Sequence, residues 1–206
     1  EIIKMRISDI ITESIAKQIT VFYGGRFQPM HSGHFALYKK LVNKFGADNV
    51  FIATTFGKKQ QSMHGADDYS TDPFTFEEKA SIMSKMFGVP ANHIVNTQPY
   101  KPDVSLVGRD KSNTATVLVF SEKDAGRLKP GGVLAPMPDD MNNLQTEDEN
   151  RVYYITMPIE NGGMSASDFR AVMSSDAEFE EKKKTFTEFF GKFDQPIFDF
   201  IEDRLR

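Results

Sequence analysis

The chain has 206 residues, 25 basic and 29 acidic side chains and a formal net charge of -4, with 39% hydrophobic and 26% charged residues. One globular domain is the default at this length, with roughly 70% of the unfolded chain's surface available for burial. The lack of cysteine excludes disulfides, thiolate metal sites and a cysteine nucleophile, mild acidity argues against a nucleic-acid partner, and apolar runs such as Val117–Phe120 fall far short of the ~18 residues that cross a bilayer.

The first twenty residues carry isoleucine at 3, 7, 10, 11, 15 and 19, near a helical period. An amphipathic helix over residues 1–18 is expected there, ahead of one domain over 19–206. Met5 is a candidate native start. No secretory apolar core is visible, so a cytoplasmic protein without a membrane partner is expected.

Ile19–Tyr23 is a β-branched and aromatic run ending at Gly24-Gly25, a buried strand entering a tight turn. Ser32–Phe45 follows with apolar residues at 35, 37, 38, 41, 42 and 45, a helix that Gly46 closes. Val50–Thr54 reads as a second strand. The polar stretch 56–72 reads as a long binding loop. Thr75–Phe87 is a second helix, opened by Asp72-Pro73-Phe74-Thr75 and closed at Gly88. His93–Thr97, Thr116–Phe120 and Val152–Pro158 supply three more strands, and Ser167–Ser174 another helix. Pro136–Asn150, with five acids, three Asn and no Lys or Arg, reads as a solvated loop. The tail from about 176 is helical, with Glu178/Lys182 and Glu180/Lys184 as i,i+4 pairs. Eight of the 18 phenylalanines lie between 169 and 200 and are assigned to core or homo-oligomer packing rather than to a cofactor box. Alternating strands and helices predict an α/β, Rossmann-like fold with a mainly parallel sheet, helices on both faces and a C-terminal helical segment.

The chemistry concentrates in Gly25-Arg26-Phe27-Gln28-Pro29-Met30-His31-Ser32-Gly33-His34. This segment leaves the first strand and enters the first helix, which places both imidazoles and Arg26 where open α/β sheets bind ligands. Exposed amides at the helix start favour an anion, and Gly33 lets a phosphate approach the backbone. The plain alternative makes the two histidines cap residues. A zinc site would need His64, His93 or carboxylates to complete it. No G-K-[ST] closes the loop as in a Walker A sequence.

G-R-F-Q-P-M-H-S-G-H resembles the signature of the nucleotidyltransferase superfamily defined by H-x-G-H. Its opening is most similar to the archaeal-type nicotinamide mononucleotide adenylyltransferases and their Nudix-fused bacterial relatives. Asp72-Pro73-Phe74-Thr75-Phe76-Glu77-Glu78-Lys79 resembles that group's N-P-F-T-x-x-E-R segment. Met164-Ser165-Ala166-Ser167-Asp168-Phe169-Arg170 resembles its S-x-T-x-x-R motif, with Ser167 in the threonine position. The likeness runs from about Thr20 to Met173. The last motif also reads as a second anion-binding helix end, or as a plain serine cap with a solvated arginine.

The resemblance implies transfer of a nucleotidyl group from an NTP to a phosphorylated small molecule, with pyrophosphate leaving. ATP and nicotinamide mononucleotide are the favoured pair, and CTP with another acceptor the rival. It implies that His31, His34 and Arg170 act on the phosphates, that Gly25, Arg26, Phe27, Gly33, Ser165 and Ser167 bind them, and that Mg2+ accompanies the NTP. The nucleoside-side motif is not matched cleanly; Ser121 and Asp124 are its counterparts after the fourth strand, with Val107-Gly108-Arg109-Asp110 ranked below. The chain has no tryptophan to stand beside a nicotinamide ring, and Tyr100 is the aromatic candidate in its place. From other classes, a non-catalytic nucleotide-binding regulator stays open, whereas an aminoacyl-tRNA synthetase fragment is disfavoured by length and charge.

Overall fold

The computed structural model describes residues 18–126, 131–159 and 163–206. The helix expected over 1–18 falls outside them except for Gln18, which begins the first strand. Six strands form one parallel sheet: β1 (Gln18–Gly24), β2 (Val50–Thr54), β3 (Ile94–Asn96), β4 (Thr114–Ser121), β5 (Leu134–Pro136) and β6 (Val152–Met157), in the order β3-β2-β1-β4-β6-β5. β1 lies between β2 and β4, with Val21 opposite both Val50 and Val117. β2 and β4 are buried along their whole length. A strand covered on both faces reads as a continuous apolar run rather than an alternating one, which is how these segments look in the sequence.

Seven helices connect or flank the strands among the described residues: α1 (Ser32–Phe45), α2 (Lys58–Gly65), α3 (Phe76–Phe87), α4 (Glu122–Ala125), α5 (Ala166–Met173), α6 (Phe179–Phe190) and α7 (Gln195–Leu205). Leu37 and Leu41 of α1 and Met83 of α3 bury against Val21, Tyr23 and Ile52 on one face of the sheet. On the other face Phe22, Phe51, Leu118 and Phe120 pack with Val104 of a short 3-10 turn. Period two along β1 produces this split, since Phe22 and Tyr23 must point opposite ways. The phenylalanine stripe forms a separate core: Phe169 of α5, Phe186, Phe189 and Phe190 of α6 and Phe198 of α7 close on Phe74 and Ile82.

Four expectations change. Residues 56–72 are not all loop, because α2 forms inside them. Its sequence is polar all round and offers no apolar period to read. The fixing contacts are the Gln60 carboxamide oxygen on the Gly57 N–H (3.2 Å) and the His64 ring lodged between Phe56 and Tyr69. β5 was not expected, and three residues are too few to show a period. The acidic stretch after it is not wholly solvated: Leu144 and Thr146 are buried, and Glu147 accepts from Thr116 (2.9 Å) and pairs with Lys111 (3.2 Å). Finally, Lys182 faces inward and pairs with Glu202 of α7 at 2.9 Å, tying the two tail helices together instead of pairing along its own helix with Glu178.

Candidate functional site

The strand order turns back between β1 and β4, so the connections leaving their carboxyl ends diverge and open a crevice there. A cleft of about 320 Å³ occupies it, bounded by the loop after β1, the end of β4, Tyr100 and the start of α5. The tight exit from β1 depends on glycine. A Cβ on Gly24 would stand 2.8 Å from the Phe120 ring and 2.8 Å from Pro99, and one on Gly25 would stand 2.7 Å from the Phe27 ring. Phe27 takes a left-handed backbone (φ 48°), uncommon for a bulky residue. Its buried ring packs edge-on against Tyr23 (5.3 Å) and His34 (5.2 Å), an arrangement that compensates the strain.

His31 and His34 cap α1 reciprocally. The His31 Nδ1 accepts from the N–H groups of Gly33 (3.1 Å) and His34 (3.3 Å), while the His34 Nδ1 accepts from the His31 N–H (3.3 Å). This is a capping box built from imidazoles rather than from serine and glutamate. An accepting nitrogen carries no proton, so both neutral rings hold theirs on Nε2. The rings lie 3.7 Å apart, and Phe189 of α6 backs His31 at 5.4 Å. Burial pushes the His31 pKa down to about 4; burial and then the neighbouring His31 push His34 down to about 3. Both rings are therefore neutral donors at pH 7. The sign for stability follows. Between pH 6.5 and about 4 the unfolded chain binds these protons more readily, so stability is lost as pH falls through that window. Thermal unfolding from pH 7 to 4 should show the decline, and it should be shallower in His31→Ala.

Around the mouth of the cleft, side chains from four segments converge. Arg26 donates from Nε to Asp72 Oδ1 (3.2 Å) and from Nη2 to Asp72 Oδ2 (2.8 Å) and the Thr71 carbonyl (3.0 Å). Asp72 is itself held, its Oδ2 accepting from the Thr71 hydroxyl (2.9 Å) and its carbonyl from His64 Nε2 (2.7 Å). Lys79 is buried, and its Nζ donates to Thr54 Oγ1 (2.7 Å) and to the carbonyls of Thr55 (2.9 Å) and Arg26 (3.2 Å). Burial lowers its pKa to about 8, with Asp72 opposing and Arg26 adding to the fall. Arg170 reaches back from α5, donating from Nη1 to the Gln28 carbonyl (2.7 Å) and from Nη2 to Ser167 Oγ (3.4 Å), while its Nε is buried without a partner. Gln28 in turn clasps the Phe74 backbone through its amide in both directions, at 3.0 and 2.9 Å.

The remaining expected residues divide. Ser165 is the N-cap of α5, which begins at Ala166, one residue earlier than expected, with its Oγ accepting from Asp168 N–H (3.1 Å) and donating to the Asp168 carboxylate (2.7 Å). Ser165, Ser167 and Arg170 all line the cleft, as do Gly25, Arg26 and Phe27. Asp124 lines it too and accepts from Ser121 Oγ at 2.9 Å. Tyr100 stacks on Phe120 (4.8 Å, 12° between planes) and leaves its outer face exposed at the rim. Gly33 is the exception: it is buried in the first turn of α1, away from the lining, and its N–H is spent on the His31 ring. Arg109 lies elsewhere, bonded to Asp48 and Asn49. At the cleft floor the Tyr23 hydroxyl is buried without a hydrogen-bond partner; burial, then the Asp124 carboxylate, pushes its pKa up, so it keeps its proton.

Asp72, Lys79, Gln28 and Phe189 were missed as site residues. Lys79 carried a readable signal, since positions 76, 79, 83 and 86 share one face of α3 and the others on it are apolar. The other two histidines do not join the pair: His64 bonds Asp72, and His93 donates to the Val50 carbonyl (3.0 Å) while stacked on Phe51. Among the described residues no group of three or more His, Asp or Glu converges as a metal site, and no helix is long and apolar enough to cross a membrane.

A parallel α/β sheet with a cationic cleft at its topological switch point defines an anion- or nucleotide-handling protein of the Rossmann-like class. Residues 22–170, which span both histidines, the second helix and Arg170, match the Cytidylyltransferase-like family, and the chain belongs to it. It is thus an enzyme of the nucleotidyl-transferring kind, whose members take a nucleoside triphosphate and a phosphorylated substrate. No curated protein matches the chain.

Proposed function

We propose that the protein transfers the NMP part of an NTP, ATP by preference, to the phosphate of a small-molecule acceptor, nicotinamide mononucleotide by preference, giving NAD and pyrophosphate. The observation that carries the reading is the pairing of two neutral imidazoles, each locked with its proton on Nε2, with Arg26 and Arg170 around one cleft. An acceptor phosphate oxygen attacks the α-phosphorus, the α–β bridging P–O bond breaks, and the bridging oxygen leaves with pyrophosphate. The Nε2–H groups of His31 and His34 donate to the phosphate oxygens on which charge builds, already oriented by their caps, so no reorganisation is needed at the transition state. Arg26 and Arg170 hold the polyanion from two sides, and the amide end of α5 with Ser165 and Ser167 seats the pyrophosphate. Mg2+ would accompany the NTP and supply further charge neutralisation; among the described residues no carboxylate cage forms for it. At the far end, the exposed face of Tyr100, the Tyr23 hydroxyl and Asp124 suit an acceptor with a flat ring and hydrogen-bonding groups.

The test is pyrophosphate release with Mg2+, crossing ATP and CTP with a panel of phosphorylated acceptors led by nicotinamide mononucleotide. Release confined to ATP plus nicotinamide mononucleotide supports the whole reading. Release with CTP or another acceptor keeps the mechanism and discards the substrate. Nucleotide binding with no release from any pair moves the protein to a regulator. Arg170→Ala should raise KM for the NTP about tenfold, the loss of one charge-assisted contact. If only the acceptor KM moves in steady-state kinetics, the α5 motif serves the other substrate.

A further inference from the structure

Arg26 and Arg170 line the cleft, Lys79 is buried beneath the loop that carries Arg26, and one carboxylate acts on all three. Asp72 is in direct contact with Arg26, and lies within electrostatic reach of Lys79 and Arg170. The contact differs in kind from a surface ion pair. Asp72 is buried, whereas the Arg26 side chain is 56% exposed and lines the cleft. Both Asp72 oxygens and two of the arginine's nitrogens are engaged. The carboxylate also accepts from the Thr71 hydroxyl, and its own backbone is tied by the bond from His64 to the Asp72 carbonyl, so the charge stays beside Arg26 when an anion arrives. A polyanion that takes hold of Arg26 must therefore share it with a fixed negative charge.

We propose that Asp72 is a positioning residue with a cost built in: it aims Arg26 into the cleft and, by competing for the same guanidinium, limits how tightly the site grips pyrophosphate. This rests on the phosphate-site reading above and deepens it by assigning control of product affinity. A site whose two lining arginines met no counter-charge would hold the leaving group too well. One buried counter-charge lowers ground-state affinity for the free polyanion, while the hydrogen bonds that strengthen in the transition state are left in place. Sequence position alone gives no hint of it, since Asp72 and Arg26 are 46 residues apart.

The experiment is calorimetric titration of the full chain with inorganic pyrophosphate at fixed ionic strength, comparing wild type with Asp72→Asn. The amide keeps the size and one acceptor but removes the charge. Pyrophosphate should bind about tenfold more tightly, the size of one partly screened charge contact, and product inhibition should deepen in parallel. In an Arg26→Ala background the same substitution should change affinity much less. Asp72→Ser removes the charge with smaller demands on fit and should move affinity in the same direction should the asparagine variant fold poorly. Unchanged or weaker binding in folded variants overturns the inference and makes Asp72 a simple orienting group. If the wild type binds no pyrophosphate at all, the phosphate-site reading itself fails, and this inference with it.

Discussion

Replacing His34 with alanine is expected to lower kcat by about 100-fold or more, the cost of removing one oriented donor from a developing phosphate charge. The substitution also removes the acceptor of the His31 N–H, so about 1 kcal/mol of stability goes with it. The two effects can be separated. Glutamine at the same place in the first turn can restore the acceptor for the N-cap amide, as in an ordinary capping box. His34→Gln should therefore recover most of the unfolding temperature while turnover stays at least tenfold down, because the amide nitrogen does not stand where the imidazole Nε2 stood. Chemical denaturation and pyrophosphate release on both variants check the pair. Full activity in His34→Ala would remove the histidines from the mechanism and leave them as caps.

That double duty explains why the first motif was legible and yet incomplete in sequence. The strand, loop and helix carrying it were plain from β-branched residues, Gly24-Gly25 and the apolar period of α1, because each is fixed by neighbours within a few positions. The capping geometry follows from the three-residue spacing of the histidines, and it is compatible with the proposed phosphate role because the two readings use different ring nitrogens. Each ring uses Nδ1 for the backbone and keeps its proton on Nε2. What local pattern could not give was the set of contacts made across the fold. Arg170 meets the Gln28 carbonyl over 142 residues, Lys79 meets the Arg26 carbonyl over 53, and Phe189 backs His31 from the tail. The tail, read as packing alone, also holds the second motif in place: Arg204 pairs with Glu78, bonds the Pro73 carbonyl at 3.0 Å and lies over the Tyr69 ring at 5.3 Å. β5 and α2 were invisible for a simpler reason. One is three residues long, and the other has no apolar face, so both exist through contacts rather than propensity.

Lys79→Met is the second substitution with a large expected effect, and its two consequences point in different directions. Burying an ammonium is costly, so replacing it with an apolar chain of similar length relieves a desolvation penalty. Against this, buried Thr54 Oγ1 and part-buried Thr55 O lose a donor, and Arg26 O is left with the Thr54 hydroxyl at 3.3 Å. Unsatisfied acceptors cost about 1–3 kcal/mol each, so a net loss of about 2 kcal/mol is expected. The pH dependence separates the hydrogen bonds, which stabilise, from the buried charge, which does not. The Lys79 pKa is lowered to about 8 in the folded chain, below the ordinary 10.5, so the unfolded chain binds the extra proton between those values. The contribution of this group to stability therefore rises as pH goes from 8 to 10.5, and the gap between wild type and Lys79→Met should widen across that range in urea unfolding. Activity should suffer more than stability. The Arg26 carbonyl is bonded by Lys79, and the loop that follows carries the backbone Arg170 grips and both histidines, so loosening it displaces donors that must sit within about 0.5 Å of their working positions. A fall of at least tenfold in kcat, with NTP affinity less affected and partial recovery in Lys79→Arg, is the expected pattern. A variant that loses stability but turns over normally would show that the Lys79 hydrogen bonds support the fold without setting the loop.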